Sequence, residues 1–255
     1  MRNPTVHGVG GVLSADIAVP EHARELDFYS SVLTTGDAPL WRKDLMNNLG
    51  EPIIGLGDRK PEFEMLPLQW MPHFQVADVA CSAETAIKMG GKELVHGKDE
   101  DGESQWAVLA DRDGAAFGVI PVVTTQPAAS KRNVTAEGRI SWLSLVTPDA
   151  AVCQEFYQNV IGWSAESLPT DSSDGLVAKF EMHIDEENSA AEIWQFESEK
   201  HELPSVWLLH LPVNDLAESL RRVGDGGGEV MKKFDGEGYA IVRDPVGVFL
   251  ALRSN

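Results

Sequence analysis

The chain is written twice. Residues 147–163, TPDAAVCQEFYQNVIGW, have a worn counterpart in residues 19–33, VPEHARELDFYSSVL: Pro148 meets Pro20, and Phe156-Tyr157 meets Phe28-Tyr29. Three further matches follow in the same order. WMPHFQVADV (70–79) meets WLLHLPVNDL (207–216), MGGKELV from Met89 meets GGGEVM around Gly227, and ADRDGAAFGVI (110–120) meets RDPVGVFLAL (243–252). Order is kept while loop lengths drift, which is how a tandem duplication reads. Such a chain has to fold into two like halves. The 255 residues divide into a first copy over 1–123, a polar linker over 124–136 and a second copy over 137–255.

Each copy is itself rhythmic. Leu13, Ala15, Ile17 and Val19 alternate with Ser14, Asp16 and Ala18, the pattern of a half-buried strand. Leu26, Tyr29 and Val32-Leu33 then recur at helical spacing. LWRKDLM and EPIIGLG have strand character. After them the order restarts: strand PHFQV, helix CSAETAIKM stopped by Gly90-Gly91, then strands KELV, QWAVLAD and AAFGVI around a DRDG turn. The spacing predicts an α+β chain of four βαβββ units, two in each copy.

Composition excludes several classes. A formal charge of −19 sets nucleic acid aside as a partner, because phosphate repulsion opposes binding. No apolar run approaches the roughly 20 residues of a membrane helix. The start, MRNPTVHGVGG, has no signal-peptide core, so a cytoplasmic protein is expected. Cys81 and Cys153 lack metal or redox spacing and are expected as buried thiols on helices. Gly226-Gly227-Gly228 has no Lys-Ser/Thr after it and is a helix stop, not a phosphate loop.

Four βαβββ units, an acidic turn before a helix holding Phe-Tyr, the W-x-x-H strand and the closing D-P-x-G turn together resemble the vicinal oxygen chelate superfamily. That superfamily includes glyoxalase I, bleomycin-resistance proteins and extradiol dioxygenases. The resemblance covers nearly all of the chain outside its termini and linker. It implies two open, eight-stranded, barrel-like domains, each around a cavity, and in the metal-dependent members a divalent ion held by His or Glu on first and last strands. Carried over, those ligand positions fall on Ser14, Ile53, Met71 or Pro72, and Gly118 in the first copy. In the second copy they fall on Trp142, Ala190, Leu208 or Leu209, and Ala251, with Glu192 close enough to Ala190 to substitute for it. These residue types do not make a metal site, so no metal is expected as cofactor; a divalent metal is the alternative.

Strand alternation places other side chains toward the cavities. Ser14, Asp16 and His73 are expected there in the first copy, with Trp106 as aromatic wall. In the second copy Trp142, Ser144, His210, Trp194 and Tyr239 take these places. Asp16 with His73 has the make-up of a general-base pair, the carboxylate orienting the imidazole; the competing reading makes both histidines hydrogen-bonded wall residues. The expected function is binding of a small organic molecule without the usual metal. The alternative is a glyoxalase-like lyase or isomerase, or a dioxygenase, acting on a carbonyl or vicinal-oxygen substrate. No membrane partner is expected, and a homodimer is compatible with everything above.

Overall fold

The computed structural model of the chain describes residues 8–42, 54–123, 138–170, 175–197, 203–234 and 236–255. The first module runs β1 (Val12–Val19), α1 (His22–Leu33) and β2 (Ile54–Asp58). The second is β3 (Met71–Val76), α2 (Val79–Lys88), β4 (Lys92–Lys98), β5 (Ser104–Ala110) and β6 (Ala116–Pro121). The third is β7 (Trp142–Val146), α3 (Ala150–Ile161), β8 (Ser164–Ser167), β9 (Leu176–His183) and β10 (Ser189–Phe196). The fourth is β11 (Val206–Val213), α4 (Leu216–Asp225), β12 (Glu229–Phe234), β13 (Tyr239–Arg243) and β14 (Phe249–Ser254).

The strands form two mixed, open sheets, in the orders β2-β1-β3-β6-β5-β4 and β12-β13-β14-β11-β7-β10-β9-β8. In modules two to four the first strand pairs in parallel with the last, and the remaining strands run as antiparallel hairpins. The first sheet has six strands where eight were expected. Residues 40–42 of LWRKDLM form no strand, and residues 43–53 lie outside the described residues. The 124–136 linker and Ile53 also lie outside them.

Local signals explain the helix ends. Asp78, Asp149 and Asp215 each accept a backbone N–H three residues on, from Cys81, Val152 and Glu218, and so cap α2, α3 and α4. The worn copy has Glu21 at that place. Its longer side chain makes no cap, and its φ of 54° is left-handed. Gly162 closes α3 at φ 93°, a conformation that glycine adopts without a Cβ penalty.

By packing, the chain divides into two compact units. One comprises Met1–Leu13, Pro72–Ser130 and Leu143–Trp207; the other comprises Ser14–Met71, Lys131–Trp142 and Leu208–Asn255. Each unit therefore holds one helix of each copy, α2 with α3 in the first and α1 with α4 in the second.

The first unit has an aromatic core. Phe74 lies 4.9 Å from Trp163 and 5.3 Å from Trp207 between ring centroids, and Phe117 lies 5.2 Å from Tyr157. Each such side chain contributes about 1.5–3 kcal/mol on full burial. Through this core runs a polar chain: Trp207 Nε1 donates to Tyr157 Oη (3.1 Å), and Tyr157 Oη donates to Asp111 Oδ2 (3.2 Å). Asp111 Oδ1 accepts the amides of Asp113 and Ala115, which folds the DRDG turn around it. Ser82 Oγ on α2 donates to the Val160 carbonyl of α3 at 2.8 Å.

The second unit repeats this arrangement with the copies exchanged. Trp70 Nε1 donates to Tyr29 Oη (3.2 Å), Tyr29 donates to Asp244 Oδ2 (2.9 Å), and Asp244 Oδ1 accepts the amides of Val246 and Val248. Ser219 Oγ on α4 donates to the Val32 carbonyl of α1 at 2.8 Å. The motifs that repeat in the sequence are the partners of these bonds, and each tyrosine finds its aspartate in the other copy.

One expectation about the cysteines is corrected. Cys153 is buried, but Cys81 is exposed. Helix α2 buries Val79, Ser82, Ala83 and Ala86, one helical stripe, and residue 81 falls off it.

Candidate functional site

Strands β7, β10 and β9 of the first unit carry the site. In register, Glu192 stands beside Ser144 and Trp194 beside Val146; across the hairpin, Trp194 faces Lys179. Alternation puts Ser144, Val146, Glu192, Trp194 and Lys179 on one face. The other face belongs to α3, because Gln195 Oε1 accepts the Ala150 amide at the start of that helix. On the first of these faces, which is buried, Glu192 is held twice. Its carboxylate pairs with the Lys179 ammonium at 3.1 Å and accepts the Trp194 indole N–H at 3.0 Å. The ammonium also lies 5.8 Å from the Trp194 ring centroid.

At the end of this sheet a cavity of about 650 Å³ opens. Val146, Pro148, Val177, Phe196 and Leu203 supply apolar wall, while Asp113, Thr147 and Ser205 are among its polar groups. The Phe196 ring stands 6.2 Å from that of Trp194, edge-on. Thr147 Oγ1 donates to Asp113 Oδ2 at 3.2 Å, so the rim is tied to the same DRDG turn that Asp111 organises. A larger cleft of about 900 Å³ at the His183 and 185–188 turn is shallower in chemistry; its charged groups include Glu166, Asp185, Glu186 and Glu187.

The second unit carries a matching face on β11, β14, β13 and β12. His210 is in register with Ala251, Ala251 with Ile241, and Tyr239 with both Arg253 and Phe234. The His210 and Tyr239 rings lie 5.1 Å apart, Phe234 stacks on Tyr239 at 4.5 Å, and the Arg253 guanidinium sits 5.9 Å from the Tyr239 centroid.

Among the expected site residues, the structure brings Ser144 together with Trp194, and His210 with Tyr239. Ser14, Asp16 and Trp142 belong to the second unit, whereas His73 and Trp106 belong to the first. Ser14 and Trp142 are buried. His73 pairs in register with Gly118, and a Cβ at Gly118 would meet the His73 ring at 2.4 Å, so the glycine is what admits the imidazole. Trp106 is 43% exposed and covers Gly97 in the same way. Lys179, Phe234 and Arg253 were missed. Their signal lay in hairpin register, which a sequence with uncertain loop lengths does not fix.

The residues present do not fit the divalent ion that the resemblance implies. Among the described residues no three His, Cys, Asp or Glu side chains gather as a ligand set. The nearest family-position carboxylate, Glu192, already has an ammonium and an indole N–H as partners.

Two further buried carboxyl sites lie elsewhere in the units. Burial pushes Asp111 up to about 6, against the amide N–H groups of Ala115 and Asp113 that favour its ionised form. The Cys153 thiol is raised by burial and then by the charge of Asp111. In the second unit burial and then the charge of Asp244 raise Glu25 to about 7. Asp244 is itself raised by burial.

No family model matches the chain. The anthracycline biosynthesis protein DauV of Streptomyces sp. (strain C5) is 31% identical over 131 residues, covering 46% of this chain and 47% of that protein. DnrV of Streptomyces peucetius matches with the same figures. The chain thus aligns over about half the length of these curated relatives. Among solved structures, 2,2',3-trihydroxybiphenyl 1,2-dioxygenase from Sphingomonas wittichii strain RW1 superposes with a TM-score of 0.56 at 13% identity, covering 97% of this chain and 91% of that one. The Mn(II)-bound glyoxalase from Novosphingobium aromaticivorans gives 0.55 at 15% identity, covering 98% and 83%. The chain shares its fold with these dioxygenase and glyoxalase structures, in agreement with the fold that the repeated motifs imply.

Proposed function

We propose that this protein of glyoxalase and dioxygenase type fold binds a small organic molecule in the cavity at the end of the β7, β10 and β9 sheet, without a metal to anchor it. The observation that carries this reading is the cavity itself, about 650 Å³ and walled by Val146, Val177, Phe196 and Leu203. Small-molecule sites combine apolar wall with placed polar groups, and here the apolar wall is matched by Asp113, Thr147, Gln195, Glu197 and Ser205. Phe196 offers an aromatic edge to a flat ring, and the buried Trp194 packs edge-on behind it. The Lys179–Glu192–Trp194 set holds its own geometry, so the sheet is organised before a ligand arrives. Similarity to an anthracycline biosynthesis protein and to a trihydroxybiphenyl dioxygenase supports a polycyclic or catechol-like aromatic as the ligand.

Titration of the protein with an anthracycline and with catechol, followed by tryptophan fluorescence, tests this. Saturable quenching that weakens in Trp194→Phe is expected; neither compound altering the emission would remove the reading.

A second reading is an enzyme, a lyase or a dioxygenase, supported by structural neighbours that are themselves metal enzymes or oxygenases. It would employ His73 as a base. Elemental analysis finding one equivalent of metal per chain, together with an activity lost in His73→Ala, favours this reading over the first.

A further inference from the structure

The two units are built on the same plan, and one position breaks it. Aligning α1 with α3 on Phe-Tyr sets Glu25 against Cys153. In the first unit that position holds a small thiol, with Cys153 Sγ 3.9 Å from Asp111 Oδ2. In the second unit a carboxyl group takes the place, 0% exposed, beside Asp244, which is 3% exposed. Asp244 Oδ1 is occupied by the amides of Val246 and Val248, and Oδ2 by the Tyr29 hydroxyl. Neither oxygen of Glu25 meets a hydrogen-bond donor among the described residues.

Two ionised carboxylates in such a place would repel without solvent to screen them. A proton on Glu25 removes the repulsion and supplies a donor toward Asp244. The surrounding charges do not replace it. On α1 itself Arg24 attracts and Glu21 repels, both weaker influences than Asp244, and Arg24 is paired to Glu21 at 3.3 Å. On α4 the charged side chains Glu218, Arg221, Arg222 and Asp225 pair with one another. On the β12–β13 hairpin, Glu229 pairs with Arg243.

We propose that Glu25 is a proton-operated latch in the second unit: it is housed as a neutral acid, and its ionisation loosens the seating of α1 on α4. That seating is close. Phe28 of α1 lies against Gly226 and Gly228, where an added Cβ would meet its ring at 2.7 and 3.2 Å. Thr35 and Ser219 share a hydrogen bond of 2.7 Å. Displacing α1 strips these contacts together.

The test compares the full-length protein with Glu25→Gln, an isostere that donates to Asp244 at every pH. Urea unfolding and amide hydrogen exchange of α1 and α3 are followed from pH 5 to pH 8 at fixed ionic strength. For the parent chain the unfolding constant is expected to rise relative to Glu25→Gln by up to about tenfold per pH unit below about 7, then level off. Protection of α1 amides should fall over the same range in the parent chain and not in Glu25→Gln, while α3 behaves alike in the two proteins. Parallel profiles for the two proteins, within about twofold, would overturn the proposal. Should Glu25→Gln not fold, Glu25→Cys, the first unit's own residue, takes its place. Independently, carbon-13 NMR of the Glu25 carboxyl must show a titration within that range; a group ionised throughout also overturns the latch.

Discussion

The Tyr157 hydroxyl donates to Asp111 Oδ2 at 3.2 Å, joining the first helix of the second copy to the closing turn of the first. Trp207 donates to the same hydroxyl, so one oxygen serves two buried partners. Tyr157→Phe keeps the ring and removes both bonds. The expected loss is about 1–3 kcal/mol, the penalty of leaving buried polar groups unsatisfied, measured by urea denaturation. Tyr29→Phe should behave alike through Asp244 and Trp70.

Stability should decline with rising pH across the acid range. Asp111 is raised from 3.8 to about 6 and Glu25 from 4.5 to about 7, so the folded state holds both protons more tightly than the unfolded chain. Their contribution is complete below about pH 4 and is lost as pH climbs through about 6 and then 7. The growing negative charge of an acidic chain works in the same direction. Thermal unfolding between pH 4 and 8 checks this, and a stability maximum at pH 8 would count against it.

Lys179 is expected to matter through Glu192. With side chains only 17% and 11% exposed, the pair is largely desolvated, so Lys179→Met strands a buried carboxylate at a loss of about 3 kcal/mol. Adding Glu192→Gln should recover most of that loss, because a neutral amide needs no counter-charge. The double-mutant cycle, read by denaturation, reports the coupling directly.

Neither copy is expected to fold alone as a monomer. Residues 137–255 without the first copy lose Asp111, Phe74 and Phe117 from beside Tyr157, and lose Tyr29 from Asp244. Sedimentation and near-ultraviolet circular dichroism of that fragment should show either a second copy taking the vacated place or no fixed tertiary structure. A cooperatively melting monomer would contradict the interlocked arrangement.

The order of elements was legible because periodicity and turn chemistry are local. Phe-Tyr, Trp-x-x-His and the aspartate turn were visible as repeats, yet their partnership was not. Comparing copies reveals equivalent positions, whereas Tyr157 bonds Asp111, a residue of the other copy's closing motif. Placement on the site strands failed for a different reason. The position of Glu192 is blurred in the sequence because the loops before β10 differ in length between copies, while the parallel β7–β10 register fixes it beside Ser144. Cys81 was taken for a buried thiol because α2 is apolar on average, although its buried stripe passes residue 81 by.

Binding without a metal is the central claim, and chelation tests it most directly. The protein is stripped with a chelator, verified by elemental analysis, and titrated with an anthracycline while tryptophan emission is recorded. An affinity unchanged by stripping, and reduced in Trp194→Phe, is the result the proposed site requires. Binding that vanishes with the chelator and returns on adding manganese, iron or zinc would contradict it.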